Sequence, residues 1–375
     1  MRGPDLCTDG GIGLNRGHRI PDSEGLCCLL LFEQLLEAGR RFEGGEPRGM
    51  EPAVAEPLRD VAAPAGRRDR RRSAQEAAEQ EGAGTTALVL SVHGTIVRVR
   101  LVTLGDVMLD VIVRLDEPLA PGDDVRARTR TGAGGQAANV AAWAASLGAD
   151  ARCLAKRGDD AAGELVAREL AGHGVELVGP VASGPTGVVV SIVGADGDRS
   201  MASDRGVAPD FRPEELDPAW LACDVLHLSG YALLREPISE TAVLAARLAR
   251  ERGARVSVDV AAWTEIRSYG PVLFRELLDV VAPDVLFATE AEWEMLGGAY
   301  LTAPTGVIKR GARGCVVVTE DARLDLSPVD ADVVDTTGAG DALAAGFLLG
   351  GSLEDAARRG LEAAARCVAN VGSLP

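Results

Sequence analysis

Asp335-Thr-Thr-Gly-Ala-Gly-Asp341 runs directly into Ala342-Leu-Ala-Ala-Gly-Phe347, so a glycine turn feeds an apolar helix. Gly338, Ala339 and Gly340 let the backbone turn tightly and leave consecutive N–H groups unpaired at the helix start. Those donors, with the positive end of the helix dipole, suit an anion and above all a phosphoryl group. Asp341 falls in the first helical turn beside that place. Its carboxylate is positioned to take a proton from an attacking hydroxyl. A bare Gly-x-Gly-Asp reads as well as an ordinary turn with a dipole-favoured acid. The full string from 335 to 347 reads as a phosphoryl-transfer site.

Working outward, the chain alternates strand and helix from about residue 97 to its last helix. Val97–Thr103 reads as an opening strand, and Ala137–Leu147 as a helix ended by Gly148. A strand near Ala151–Ala155, a helix after Asp160 and a β-rich stretch at Thr186–Val193 follow. Next come strand Val225–Leu228, helix Ile238–Arg252, strand Arg255–Val260 and a helix near Pro271–Val281. Val285–Ala288, Val307–Lys309 and Cys315–Thr319 read as strands, and helices start at Gly340 and Leu353. This order predicts an α/β fold: a doubly wound, mainly parallel sheet flanked by helices, with its ligand site in the loops at the strands' carboxyl ends.

Composition narrows the function classes. The net charge of −17 repels a nucleic-acid backbone, yet a nucleotide held by backbone amides and a metal remains compatible. Cysteines 7, 27, 28, 153, 223, 315 and 367 form neither a zinc spacing nor a disulfide framework, which fits a reducing cytoplasm. The apolar run Leu26–Phe32 is too short to span a bilayer and lacks a cleavage site, so no membrane partner is expected. Residues 1–97 hold Gly/Pro-rich stretches, the arginine-dense Arg67–Arg72 and a polar tract, and read as a disordered or low-complexity extension. A short amphipathic helix over Leu29–Phe42 is the one element legible there. The folded domain is expected over 98–375.

With these residues in view, the chain resembles the PfkB, or ribokinase-like, carbohydrate kinases, whose C-terminal signature Asp335–Phe347 fits throughout. The resemblance implies ATP and Mg2+ as cofactors, Asp341 as catalytic base and Gly338, Ala339 and Gly340 as the anion hole. It also implies Asp335 beside a monovalent cation such as K+. Gly134-Gly-Gln-Ala-Ala-Asn139 is similar to the family's Gly-Gly-x-x-x-Asn substrate motif. There Gly134 and Gly135 admit a polyol to the backbone, and Asn139 offers a donor and an acceptor. Gly105-Asp106-x-x-x-Asp110 is similar to the segment whose last Asp holds two sugar hydroxyls. Val307–Cys315 resembles the nucleotide-side strand and turn, with Lys309, Gly311, Gly314 and Thr337 toward the cofactor. Lys309 is one of only two lysines in the chain. A small β-lid from parts of Val111–Thr131 and Thr186–Met201 is implied as well, with pairing of lids in a homodimer.

Two departures from the template stand out. The family's Asn-x-x-Glu is Thr289-Glu-Ala-Glu292 here, which leaves Glu292 to orient magnesium through water, or else as a surface acid. Asp259-Val-Ala-Ala-Trp263 lacks the Asn and Arg found there in many sugar kinases, so Arg205 is the remaining candidate clamp for an acidic acceptor. Gly158-Asp-Asp-x-x-Gly163 reads either as a family turn or as a helix cap.

The acceptor expected first is a free sugar, then a nucleoside. Two readings of another class stay open. Gly132-Ala-Gly-Gly-Gln-Ala137, with Asp159 beyond it, fits the dinucleotide fingerprint of an NAD-dependent oxidoreductase. It needs a buried parallel strand before Gly132, where the chain is polar and alternating. The other is a non-catalytic sugar- or nucleotide-binding regulator.

Overall fold

The computed structural model describes residues 98–119, 122, 124–194, 199–298 and 303–375. The expected extension over 1–97, with its basic run and short helix, lies outside the described residues.

The strands are β1 Arg100–Leu104, β2 Met108–Leu115, β3 Ala127–Gly134, β4 Asp150–Leu154, β5 Arg157–Gly158, β6 Val175–Val178, β7 Val181–Ala182 and β8 Thr186–Val193. They continue as β9 Arg199–Gly206, β10 Val225–Ser229, β11 Arg255–Asp259, β12 Val285–Thr289, β13 Thr305–Lys309, β14 Cys315–Val318 and β15 Arg323–Leu326. Among them run helices α1 Gln136–Ser146, α2 Ala161–Gly172, α3 Ile238–Glu251, α4 Trp263–Tyr269, α5 Pro271–Val281, α6 Glu290–Met295, α7 Ala339–Leu348 and α8 Leu353–Val368.

The central sheet runs β15-β14-β13-β12-β11-β10-β1-β4-β6. It is parallel from β6 across to β13, and only β14 and β15 pair antiparallel at the edge. Its strands are near-continuous apolar runs because helices cover both faces. The order reverses at β1, which lies between β4 and β10 and opens the crevice where such sheets bind ligands. The expected ribokinase-like α/β architecture is the one observed.

A second sheet, β3-β2-β8-β9, forms the lid. Only β2 and β8 are parallel; both outer pairs are antiparallel. β9 reaches Gly206, beyond the Met201 expected, because Arg199–Gly206 is too polar to advertise a strand. β3 belongs to this lid and not to the parallel sheet, so Gly132–Ala137 is no dinucleotide turn. Asp160 resolves the Gly158–Gly163 ambiguity by doing two things. It caps α2 by accepting from the Gly163 N–H at 2.9 Å, and it accepts the Thr186 hydroxyl and N–H at 2.6 and 2.9 Å, which pins the start of β8.

The closing helices explain why the signature stays apolar after Asp341. α7 is buried almost all round, between the sheet and its neighbours α1 and α8. Phe347 meets Phe287 of β12 edge to face at 5.5 Å, which seats α7 on the sheet. A Cβ on Gly346 would lie 2.7 Å from the Arg359 carbonyl oxygen of α8, so this glycine serves packing and not chemistry.

Candidate active site

Gly338 caps α7 in the left-handed region, at φ 79°, and its Cα faces the segment around Ser373 so closely that a Cβ would stand 2.7 Å from that residue's backbone. Beyond it the N–H groups of the first helical turn have no partner within the helix. A Cβ on Gly340 would meet the Lys309 ammonium at 3.3 Å. The ammonium thus overhangs the helix start, adding a full charge to the partial charges of the dipole.

Lys309 ends β13 and does not reach for solvent. Its Nζ donates to both carboxylate oxygens of Asp259, at 2.7 Å each, and Asp259 is wholly buried at the end of β11. Burial works to lower the Lys309 pKa, but Asp259 and Glu292 outweigh it and the ammonium is raised above its ordinary value.

Asp341 accepts a 2.8 Å hydrogen bond from the Asn139 side-chain amide. Asn139 in turn accepts from the Ser373 hydroxyl at 3.0 Å, and the Ser373 carbonyl takes the Trp143 indole N–H at 2.8 Å. This chain fixes the amide's orientation, so one Nδ2 hydrogen is committed to Asp341 and one stays free. Burial pushes the Asp341 carboxyl up to about 7; the Asn139 bond and Lys309 oppose this, and the charges of Asp259 and Asp110 add to it.

Asp110 lies inside lid strand β2, not in a strand-to-helix loop as the fold rule alone predicts. Burial, helped by Glu169 and opposed by Arg199, raises its carboxyl to about 6. Gly134, at the end of β3, is where that carboxylate rests: a Cβ there would lie 2.1 Å from it. Gly135 follows at φ 93°, with a Cβ position 2.4 Å from the Asp106 carbonyl oxygen. Sequence reasoning passed over Glu169, which accepts the Ala133 N–H at 2.6 Å and holds this corner of β3 to α2.

Arg205 turns from its expected role. Its Nε and Nη2 donate to the two Asp106 oxygens at 2.6 and 2.8 Å, a buried bidentate pair, while Nη1 is buried without a partner. Glu292 is not a surface acid. It is 4 % exposed and accepts the Thr289 N–H at 2.7 Å, while the Thr289 hydroxyl accepts the Glu292 N–H at 3.3 Å. Thr289 therefore closes a capping box on α6 where the family has Asn. Asp335 ties its own loop together, accepting from the Thr337 N–H at 2.9 Å and hydroxyl at 2.6 Å and from the Gly372 N–H at 3.1 Å. Gly311 and Gly314 bracket the exposed turn between β13 and β14 at φ 57° and 80°.

The structure thus brings Asp341, Asn139, Lys309, Glu292 and Gly338–Gly340 together at the carboxyl edge of the sheet, with Asp110 facing them from the lid. Ser373 and Trp143 carried no motif that marked them, and Asp259 was noted only for what its strand end lacks. The pfkB family carbohydrate kinase model matches residues 99–374. The chain belongs to that family.

Among pfkB relatives, an ATP-dependent ribose-1-phosphate kinase of Halopiger xanaduensis is 36% identical over 72% of this chain and 90% of its own. A ribokinase of Arabidopsis thaliana is 30% identical over 73% of this chain and 77% of its own. The solved adenosine kinase of Sinorhizobium meliloti superposes with a TM-score of 0.66 at 26% identity, covering 74% of this chain and 96% of its own. Among the described residues no helix is long and apolar enough to cross a membrane.

Proposed function

We propose that this pfkB kinase transfers the γ-phosphoryl group of ATP to a hydroxyl of a ribose-type sugar, with Asp341 as the base. One observation carries the reading: a carboxylate whose proton affinity is balanced near neutrality stands at a helix N-terminus overhung by a lysine. A base with a pKa near the working pH is both deprotonated and able to accept a proton as the bond forms. The two curated relatives and the solved structure described above favour this acceptor, since ribose 1-phosphate, ribose and adenosine share a ribose ring.

In this reading Asp110 accepts two neighbouring sugar hydroxyls, and Gly134 and Gly135 let the ring approach the backbone. The hydroxyl to be phosphorylated gives its proton to Asp341 as its oxygen attacks the γ-phosphorus in line, and ADP leaves. The N–H groups of Gly338, Ala339 and Gly340, with Lys309, meet the charge that spreads over the transferring oxygens. Gly311, Gly314 and Thr337 face the nucleotide, and the lid excludes water that would otherwise compete.

Among the described residues no three acidic, His or Cys side chains gather into a metal cage. Magnesium keeps its waters and is held largely by substrate phosphates with one or two carboxylates. Glu292, buried and close enough to Lys309 to raise its pKa, is the carboxylate suited to orient such a water. Bound with ATP, Mg2+ supplies charge neutralisation at the phosphates. Asp335, on the loop it ties to Gly372, is the carboxylate that the family resemblance offers to a monovalent cation.

The test is Asp341→Asn, assayed by ADP release with a panel of sugars, sugar phosphates and nucleosides. The expected result is a kcat lowered by ~10²–10⁴ with Mg·ATP binding retained. Near-normal turnover in the variant would remove Asp341 from the reaction, and exclusive use of nucleosides would move the acceptor to that class.

A further inference from the structure

Resting on the kinase reading above, we propose that the acceptor already carries a phosphate, a phosphorylated sugar whose phosphate binds beneath a row of lid arginines. The row follows from strand register. Asp110 stands between Gly132 of β3 and Val189 of β8. Two residues on, Ile112 stands between Arg130 and Ser191; four residues on, Arg114 stands between Arg128 and Val193, and Val193 pairs with Arg199 of β9. Side chains two and four residues apart on a strand share a face. Arg128, Arg114 and Arg199 therefore cross the same face that presents Asp110, and all three line one cavity of about 630 Å³ together with Asp110, Thr337 and Ser373.

Like charges directly opposite one another across two strands repel. Arg114 and Arg128 are such a pair, in a chain whose net charge is −17. Little on the protein relieves them. Asp116 reaches Arg128 at 3.2 Å, with both side chains well exposed, and Arg114 has no hydrogen bond or ion pair among the described residues. Arg199 donates to the Thr337 hydroxyl and stands 3.9 Å from Asp335, on the loop that leads into α7. Among the described residues Arg114 is thus left without a partner between Arg128 and Arg199, whose own ion pairs, to Asp116 and Asp335, are exposed or long, and an anion entering the cavity meets three guanidinium groups there.

Three guanidinium groups on one face favour a phosphate over a carboxylate. A carboxylate is satisfied by a single bidentate guanidinium. A phosphate monoester carries about −1.5 to −2 charge at pH 7 and three acceptor oxygens, enough for several. Neutral sugars and nucleosides use none of them. At ~3.3 Å per residue, Asp110 and Arg114 stand about 13 Å apart along β2, a span that a pentose phosphate and an arginine side chain cover together. The ring would then lie between its two ends, with the existing phosphate under the lid and the reacting hydroxyl at Asp341.

The experiment compares initial rates of the full chain with Mg·ATP on ribose, ribose 1-phosphate, ribose 5-phosphate, fructose, fructose 6-phosphate and adenosine. One phosphorylated sugar is expected to exceed its parent in kcat/KM by about 10–100-fold, the size of a hydrogen bond to a charged group. Arg114→Gln and Arg128→Gln, at exposed lid positions, are expected to shrink that ratio about tenfold or more. A preference for ribose, fructose or adenosine that these variants leave unaltered overturns the proposal. So does a loss confined to the KM for ATP, which would assign the arginines to the nucleotide. Calorimetry with the phosphorylated sugars, without nucleotide, separates the two readings. Phosphate-dependent binding weakened by Arg114→Gln, in a protein that turns over no acceptor, sustains this inference and overturns the kinase reading. Turnover of free sugars only does the reverse.

Discussion

The central sheet and the lid divide the work of one site, and they are built in opposite ways. The sheet is buried on both faces, and it and the segments packed on it hold their polar groups in closed pairs and chains: Lys309 on Asp259, Asp341 on Asn139, Asn139 on Ser373. The lid keeps one face open and leaves charges unanswered there, Arg114 most plainly. A region that performs a fixed reaction can afford finished networks, because the transferring phosphoryl group is always the same. In the proposed reading the lid chooses the acceptor and must leave its donors for the guest to complete.

That contrast makes measurable demands. The largest effect on the sheet side is expected from Lys309→Met, which strands a buried Asp259 carboxylate. Breaking one member of such a pair costs ~3–5 kcal/mol, to be read from denaturant unfolding, and the double variant Lys309→Met with Asp259→Leu should recover much of it. A single variant as stable as the parent would show that the pair is not closed. On the lid side, Asp110→Asn should leave unfolding almost untouched and raise the acceptor KM by roughly 10–150-fold, matching the ~1.5–3 kcal/mol of hydrogen bonds to a charged group. If stability falls instead of affinity, the lid is as finished as the sheet and the contrast fails.

The two regions also meet through charge, and pH exposes it. As a base Asp341 must be deprotonated, and with its carboxyl held at about 7 the kcat/KM profile should fall as pH drops through 7 and not near 4. Asn139→Ala removes a donor that favours the carboxylate, so the acid limb should move to higher pH. Asp110→Asn removes a like charge across the lid gap and should move it to lower pH. Equal limbs in all three proteins would mean that the lid and the base titrate independently. The smallest expected change is at the departure from the family pattern. Thr289→Ala removes the α6 cap at a cost of about 1 kcal/mol, whereas Thr289→Asn keeps a capping oxygen and should be nearly neutral in thermal unfolding.

The same division governs what the amino-acid order disclosed. The parallel strands and their helices were legible because each is an apolar run or an apolar stripe with its own punctuation; Pro271–Val281 was bounded as observed. Asp341 was legible because its glycines, its helix and its charge are contiguous. β9 was read only as far as Met201, since Arg-Ser-Met-Ala-Ser-Asp-Arg-Gly alternates nothing. The arginine row could not be read at all, because it exists only in the register of four strands spread between residues 108 and 206. Asn139 was marked by its motif, but its partner was not. Ser373 lies 234 positions away and belongs to no pattern. Arg205 was singled out for its charge, and what sequence omitted was that Asp106 already answers it.

The hydrogen-bonded chain from Trp143 through Ser373 and Asn139 to Asp341 has a consequence for the order in which the protein becomes competent. Residues near the start of the described domain and residues near its end must meet before Asp341, the proposed base, gains its Asn139 partner. Contacts of such long separation form late, after the loop-closure entropy between them has been overcome. The packing of α7 on α1 spans the same separation, so this side of the core and the hydrogen-bonded chain are completed together. Catalytic competence is a property of the finished chain, and its appearance during refolding should lag behind the recovery of secondary structure.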